Sequence, residues 1–244
     1  TPEYQTGAFY TRADWGKPDL PSIWSDQPSE LSPVIDFVFR EKDEVWGADD
    51  DTDIEYMYQY LLYTRRTCIL TPAQIRDGWL KHIRKEEPNY LWVSNERAFK
   101  LMQQGILPPD TGAPERNREY AMIDAQLTTE IFGLFAPGRP DIALRMAHLP
   151  IRTTAREDAA SIAEFYVTMH ALAALHTQGQ PLRKHLLWSA CQARKGLPGD
   201  SYSAAMYDFV LKEYRSGTPW EETRDALHRR YQVEHADGYD MSHK

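Results

Sequence analysis

Four carboxylates and a hydroxyl occupy five consecutive positions, Asp49-Asp50-Asp51-Thr52-Asp53, directly ahead of an apolar helical pattern. Asp is a favoured N-cap, and acidic residues in a first turn interact well with the helix dipole, so one or two of these acids suit a helix start. Three adjacent Asp side chains repel, the more so as water is excluded. A hard cation held by oxygen ligands would remove that repulsion. Mg²⁺ or Ca²⁺ suits carboxylates, a Thr hydroxyl and water, whereas zinc would call for His or Cys nearby. On spacing alone two readings stand: an oxygen-ligand metal site and a solvated acidic helix start.

Other chemistry leaves no local trace. The sequence has no G-x-G-x-x-G, no phosphate loop ending in Gly-Lys-Ser/Thr, and no H-E-x-x-H, C-x-x-C or G-x-S-x-G. His170 and His176 stand six residues apart, about 600° around a helix, so they diverge and are expected to be structural. The 28 basic residues against 36 acidic ones give the 244-residue chain a net charge of −8. The pairs Arg65-Arg66 and Arg229-Arg230 are isolated, so long-range repulsion argues against nucleic acid as a partner. No run approaches the ~18 apolar residues of a membrane span. Two cysteines, Cys68 and Cys191, exclude a disulfide framework and favour a cytoplasmic setting.

The elements that must position the acids read as helices. Ile54, Met57, Tyr58, Leu61 and Leu62 recur as one buried face of a helix over 52–66. Capping-box patterns at Thr71-Pro72-Ala73-Gln74, Thr154-Ala155-Arg156-Glu157 and Thr218-Pro219-Trp220-Glu221 predict helices over 71–86, 154–176 and 218–231. Apolar spacing and stop signals add helices over 95–104, 118–135, 140–147, 182–193 and 203–215. Strand-like alternation is nearly absent, so the fold class is all-α. Residues 1–48, broken by Pro2, Pro18, Pro21, Pro28 and Pro33 but rich in aromatics, read as an irregular arm packed on a helical body over 49–244. Residues 106–115 form the longest loop after the arm, and Trp79, Trp188 and Trp220 are expected in the core.

Asp49-Asp50-Asp51-Thr52 at a helix start resembles the first metal motif of the ADP-ribosylglycohydrolase family. The resemblance continues through Tyr90-Leu91-Trp92-Val93, Glu96-Arg97-Ala98 and Gly105-Ile106-Leu107-Pro108-Pro109. It extends over Asn117-Arg118-Glu119-Tyr120, Ala125-Gln126 and the segment from Phe132 to Pro140. It implies an orthogonal bundle of α-helices around a two-metal Mg²⁺ site, with Mn²⁺ as a substitute. Asp49, Asp50 and Asp51 would be the metal ligands, oriented by Thr52 and Asp53. The activity implied is Mg²⁺-dependent hydrolysis of an ADP-ribosyl or related N- or O-glycosidic bond, on a small-molecule or protein substrate. The residues identify no catalytic acid or base, and Glu55 reads as a packed or solvated helix residue.

The sequence departs from the family pattern at three places. Gly-Ala-Gln becomes Asp124-Ala125-Gln126, a Ser-His segment becomes Arg152-Thr153-Thr154, and the C-terminal Asp-x-Asp-Thr has no counterpart. The chain therefore reads as the middle of such a protein, with a complementary C-terminal fragment as an expected partner. The other functional class is a non-catalytic helical binding or structural subunit descended from the same fold.

Overall fold

The computed structural model describes residues 50–83, 91 and 93–234, so the expected arm over 1–48 lies outside the described residues. Ten α-helices and no strand occur among them, arranged as an all-α orthogonal bundle. The helices are α1 (Asp50–Arg65), α2 (Pro72–His82), α3 (Val93–Gln103), α4 (Asp124–Thr129) and α5 (Ile131–Phe135). They continue as α6 (Pro140–Ile151), α7 (Glu157–Ala173), α8 (Leu182–Ala193), α9 (Tyr202–Ser216) and α10 (Trp220–His228). Tighter 3-10 turns cover Asp110–Gly112 and Arg194–Gly196, and a wider π turn, Arg229–Val233, follows α10.

The hub is α7, which touches α4, α5, α6, α8 and α9. Its buried residues Ala159, Ala160, Ala163, Val167 and Ala171 recur every three to four positions and are small, so neighbouring backbones come close. The tightest approach is at Gly133 of α5. A Cβ there would lie 2.5 Å from the Val167 carbonyl oxygen and 2.8 Å from the Ala171 nitrogen. Around this seam, Ile54, Met57, Tyr58 and Leu61 of α1 join Ile75 and Trp79 of α2 and Phe132 of α5 in one apolar cluster. Full burial of each large side chain contributes roughly 1.5–3 kcal/mol.

The cap at Thr71 forms as the sequence predicts: its hydroxyl accepts from Gln74 N, and the Gln74 side chain takes the Thr71 amide. Gly217 ends α9 in the left-handed conformation at φ 77°, where a side chain would be strained. The other two capping boxes do not form. Helix α7 starts after Arg156, whose amide bonds Tyr120 O, while the Glu157 carboxylate accepts from the Tyr120 hydroxyl at 3.0 Å. A tertiary tie has displaced the local cap. The Thr218 hydroxyl donates to Glu213 at 2.9 Å, and Pro219 takes the N-cap position of α10 with no side-chain cap.

Several expected helices have different bounds: α2 ends at His82 rather than at 86, α7 spans Glu157–Ala173 rather than 154–176, and α10 spans Trp220–His228 rather than 218–231. Helix α6 runs through Pro150 to Ile151 instead of stopping at Ala147, because a proline in the last turn removes only one terminal hydrogen bond. The helix expected over 118–135 is broken. Asn117 Oδ1 accepts from Glu119 N and sets residues 118–123 into turns. Farther on, the Ile131 amide, which a continuous helix would direct to Leu127, is taken by Glu55 Oε1 at 2.9 Å. Thr128 and Thr129 hydroxyls donate to carbonyls one turn back, which weakens the helix at the same place.

Trp79 is in the core, 1% exposed, whereas Trp188 and Trp220 lie at the surface. Cys68 sits in an exposed bend after α1, and both cysteines are free thiols. Among the described residues no helix is long and apolar enough to cross a membrane.

Candidate functional site

The acidic run opens α1. Asp49 and the side chain of Asp50 lie outside the described residues. Asp51 is half-buried, and Thr52 and Asp53 are exposed. Helical geometry explains the division. Positions 51, 54, 55 and 58 share a face, and Ile54 and Tyr58 on it are buried. Positions 52, 53, 56, 60 and 63 share the other face, where Tyr56, Tyr60 and Tyr63 are exposed. Asp51 is thus on the side of α1 that meets the body, and Thr52 and Asp53 are turned from it. Among the described residues no three His, Cys, Asp or Glu side chains group in a manner suited to holding a metal ion.

Beneath the run, Glu55 joins α1 to the break between α4 and α5. Burial pushes its carboxyl above the usual range, and the nearby Glu130 charge adds to that, while the Ile131 amide opposes it. His170 of α7 closes the group, its Nδ1 lying 3.3 Å from the Glu130 carbonyl oxygen. This arrangement fastens helices together and accounts for both Glu55 and His170 as structural residues. His176, beyond the end of α7, has Nε2 2.9 Å from Gln180 O and its ring against that of His185. Tyr58 lies one turn past Glu55, with its ring 5.5 Å from that of Phe132 and its hydroxyl accepting from Trp79 Nε1 at 3.3 Å. Burial raises its phenol to about 12, so it stays protonated.

The segments that depart from the family pattern are packed inside. Asp124, at the first turn of α4, is 6% exposed. Thr153 donates to Leu149 O, and its own carbonyl accepts from Thr111 at 2.7 Å. The Thr154 hydroxyl is buried without a hydrogen-bond partner. Arg152 is paired with Glu164 at 2.7 Å.

Asn117 is the organiser that sequence reasoning did not single out for a structural role. It is fully buried, and its Nδ2 donates to Ser94 O at 3.2 Å and Thr111 O at 3.1 Å. One amide side chain thereby joins the start of α3, the 3-10 turn and the segment leading to α4. A buried Asn between charged neighbours carries no periodic signal, so only the folded contacts reveal it. Comparison with protein-family models, with curated proteins and with solved structures finds no match to this chain.

Proposed function

We propose that this chain is the metal-binding part of a Mg²⁺-dependent hydrolase of an ADP-ribosyl or related N- or O-glycosidic bond, built on an ADP-ribosylglycohydrolase-type bundle. The observation that carries the reading is the position of the acidic run at the start of α1. That helix is anchored in the core through Ile54, Met57, Tyr58 and Leu61, so its first turn has a rigid base. A helix start needs one or two acids, and the sequence supplies four.

The donor set is made of oxygen alone, which fits Mg²⁺ or Mn²⁺. Asp49, Asp50 and Asp51 would hold the metal, and Thr52 and Asp53 would orient them. When bound, the metal would supply Lewis-acid polarisation and orientation of ribose hydroxyls and a water. Glu55 has one oxygen committed to the Ile131 amide, which argues against it as the acid or base. Its role is to keep α1 in register with α4 and α5.

The second reading, a non-catalytic subunit, draws support from Thr153 and Thr154. Both are buried in packing, where the family pattern carries a Ser-His segment. One experiment separates the two. Mg²⁺ should raise the melting temperature in proportion to occupancy, and the Asp50→Asn/Asp51→Asn variant should lose that response while melting higher without metal. Release of ADP-ribose from ADP-ribosylated substrates, measured with and without chelator and with an added Asp-x-Asp-Thr fragment, then reports catalysis. A metal response without release under any condition favours the subunit reading. No metal response in the unmutated chain removes the site.

A further inference from the structure

A groove of about 610 Å³ lies between α3 and the segment 114–119, and its walls are charged. It falls within the 300–1,000 Å³ range of small-molecule sites. Arg97 and Lys100 project from α3, and Arg116 and Arg118 from the facing segment. Two of the three acids in the same walls are engaged. Glu96 pairs with Lys100 at 2.6 Å, and Glu119 pairs with Arg118 at 2.9 Å. Glu115, the third acid of the lining, is exposed beside Arg116.

Two guanidinium groups remain without an acidic partner among the described residues. Arg97 is held in place because its Nε donates to Arg116 O at 2.8 Å, leaving its two terminal nitrogens as donors. Arg116 makes no ion pair there. Behind them the buried Asn117 fixes the facing segment to Ser94 O and Thr111 O, so the two walls are tied at their base. Val93, Glu96, Arg97 and Lys100 share one face of α3, so the groove runs along the flank of that helix. In a chain of net charge −8 this is a local reversal of sign.

We propose that this groove binds the phosphate groups of a small phosphorylated molecule through Arg97 and Arg116. A planar guanidinium presents paired N–H groups that match phosphate oxygens two at a time, and two such groups at one groove suit a pyrophosphate better than a single carboxylate. Lys100 and Arg118 add charge that Glu96 and Glu119 offset. The inference rests on the described residues of α3 and the segment 114–119 and is independent of the hydrolase reading.

The test is calorimetric titration of the full chain with inorganic pyrophosphate and with ADP-ribose, in chelator so that metal binding at α1 does not contribute. Saturable binding of pyrophosphate is expected, weakened roughly tenfold by Arg116→Gln, the loss of one charge-assisted contact. Arg97→Lys should weaken it similarly by keeping the charge and losing the fork. Arg118→Gln should change it less than about twofold, because the Arg118 side chain is 92% exposed and its charge is screened by water and offset by Glu119. The Asp50→Asn/Asp51→Asn variant should bind pyrophosphate like the unmutated chain, which separates this groove from the metal reading. ADP-ribose binding more tightly than pyrophosphate, with the same dependence on Arg116, would identify a nucleotide sugar as the source of the phosphates. Absence of saturable binding at millimolar concentrations would overturn the proposal. Equal losses in Arg116→Gln and Arg118→Gln, the mark of diffuse surface charge, would also overturn it.

Discussion

Helices α1 to α7 and the three helices that follow are held by different physics. The contiguous apolar core runs from Ile54 to Ala171 and includes no residue of α8, α9 or α10. Beyond residue 181 the buried side chains among the described residues are His185, Ser189, Ala193, Leu197, Ser203, Ala204, Thr223 and Tyr231, half of them polar. The later helices pack on α7 and on one another outside that cluster, through ring contacts such as Phe165 with Tyr207 at 5.7 Å and through individual bonds. His185 Nε2 lies 3.0 Å from Leu172 O, Ser203 donates to Asp158 at 2.5 Å, and Arg194 pairs with Asp208 at 2.7 Å. Apolar burial is non-directional and sums over many contacts, whereas a hydrogen bond to a partly solvated partner contributes about 1 kcal/mol net. The two regions should therefore respond differently to the loss of one side chain. Both the acidic start of α1 and the Arg97–Arg116 groove lie on the apolar body, whose rigidity a binding site requires.

The largest effect should come from Trp79→Ala. Trp79 is buried against α1, donates to the Tyr58 hydroxyl and belongs to the contiguous core. Its removal leaves a cavity and should cost about 3–5 kcal/mol. Denaturant unfolding should show the whole described body weakening, with hydrogen exchange accelerating in α4 to α7 as well as in α1 and α2. A loss confined to α2 would break the picture of one cooperative body.

A smaller and local effect is expected from Ser203→Ala. The serine ties α9 to Asp158 of α7 and also lies 2.9 Å from the Ser201 hydroxyl. Losing it should cost about 1 kcal/mol. Faster exchange should be confined to α9 and α10, leaving α1 to α7 unchanged. If the protection of α4 to α7 falls equally, the two regions unfold as one, and the contrast between them is mistaken.

The contrast also explains what the sequence could reveal. The buried face of α1 was legible because Ile54, Met57, Tyr58 and Leu61 repeat at helical spacing and all are buried. The Thr71 cap was legible because its donors and acceptors lie within four residues. The break at Glu130 was not, since it depends on Glu55, 76 residues away, capturing the Ile131 amide. Thr154-Ala155-Arg156-Glu157 had the local pattern of a cap, yet Tyr120 engaged both Arg156 N and the Glu157 carboxylate. Arg97 and Arg116 stand 19 residues apart and meet through the bond from Arg97 Nε to Arg116 O, beside the tie that Asn117 makes to Ser94 O. For the acidic run the sequence supplied the residue types, while Asp49 and the Asp50 side chain lie outside the described residues. Local signals were legible, and tertiary competition for the same groups was not.

The smallest effect, and the sharpest test of the later helices, is their response to acid. The Arg194 guanidinium, hydrogen-bonded to Asp208, holds that carboxyl below its ordinary value of 3.8. A carboxyl whose folded pKa is depressed contributes its stability above the unfolded pKa and loses it as pH falls through the folded one. The tie between the end of α8 and α9 should therefore persist to about pH 4 and weaken below it. The Asp208 side chain is 56% exposed, so water screens the pair and the change should be slight. Hydrogen exchange from about pH 5 to about pH 3, corrected for intrinsic rates, should show α9 and α10 loosening ahead of the body. In Asp208→Asn that pH dependence should flatten, with faster exchange already at pH 5 because the ion pair is gone. An unchanged acid response in the variant would assign the loosening to other carboxylates. Loosening of α4 to α7 at the same pH would show that the outer helices share the stability of the body.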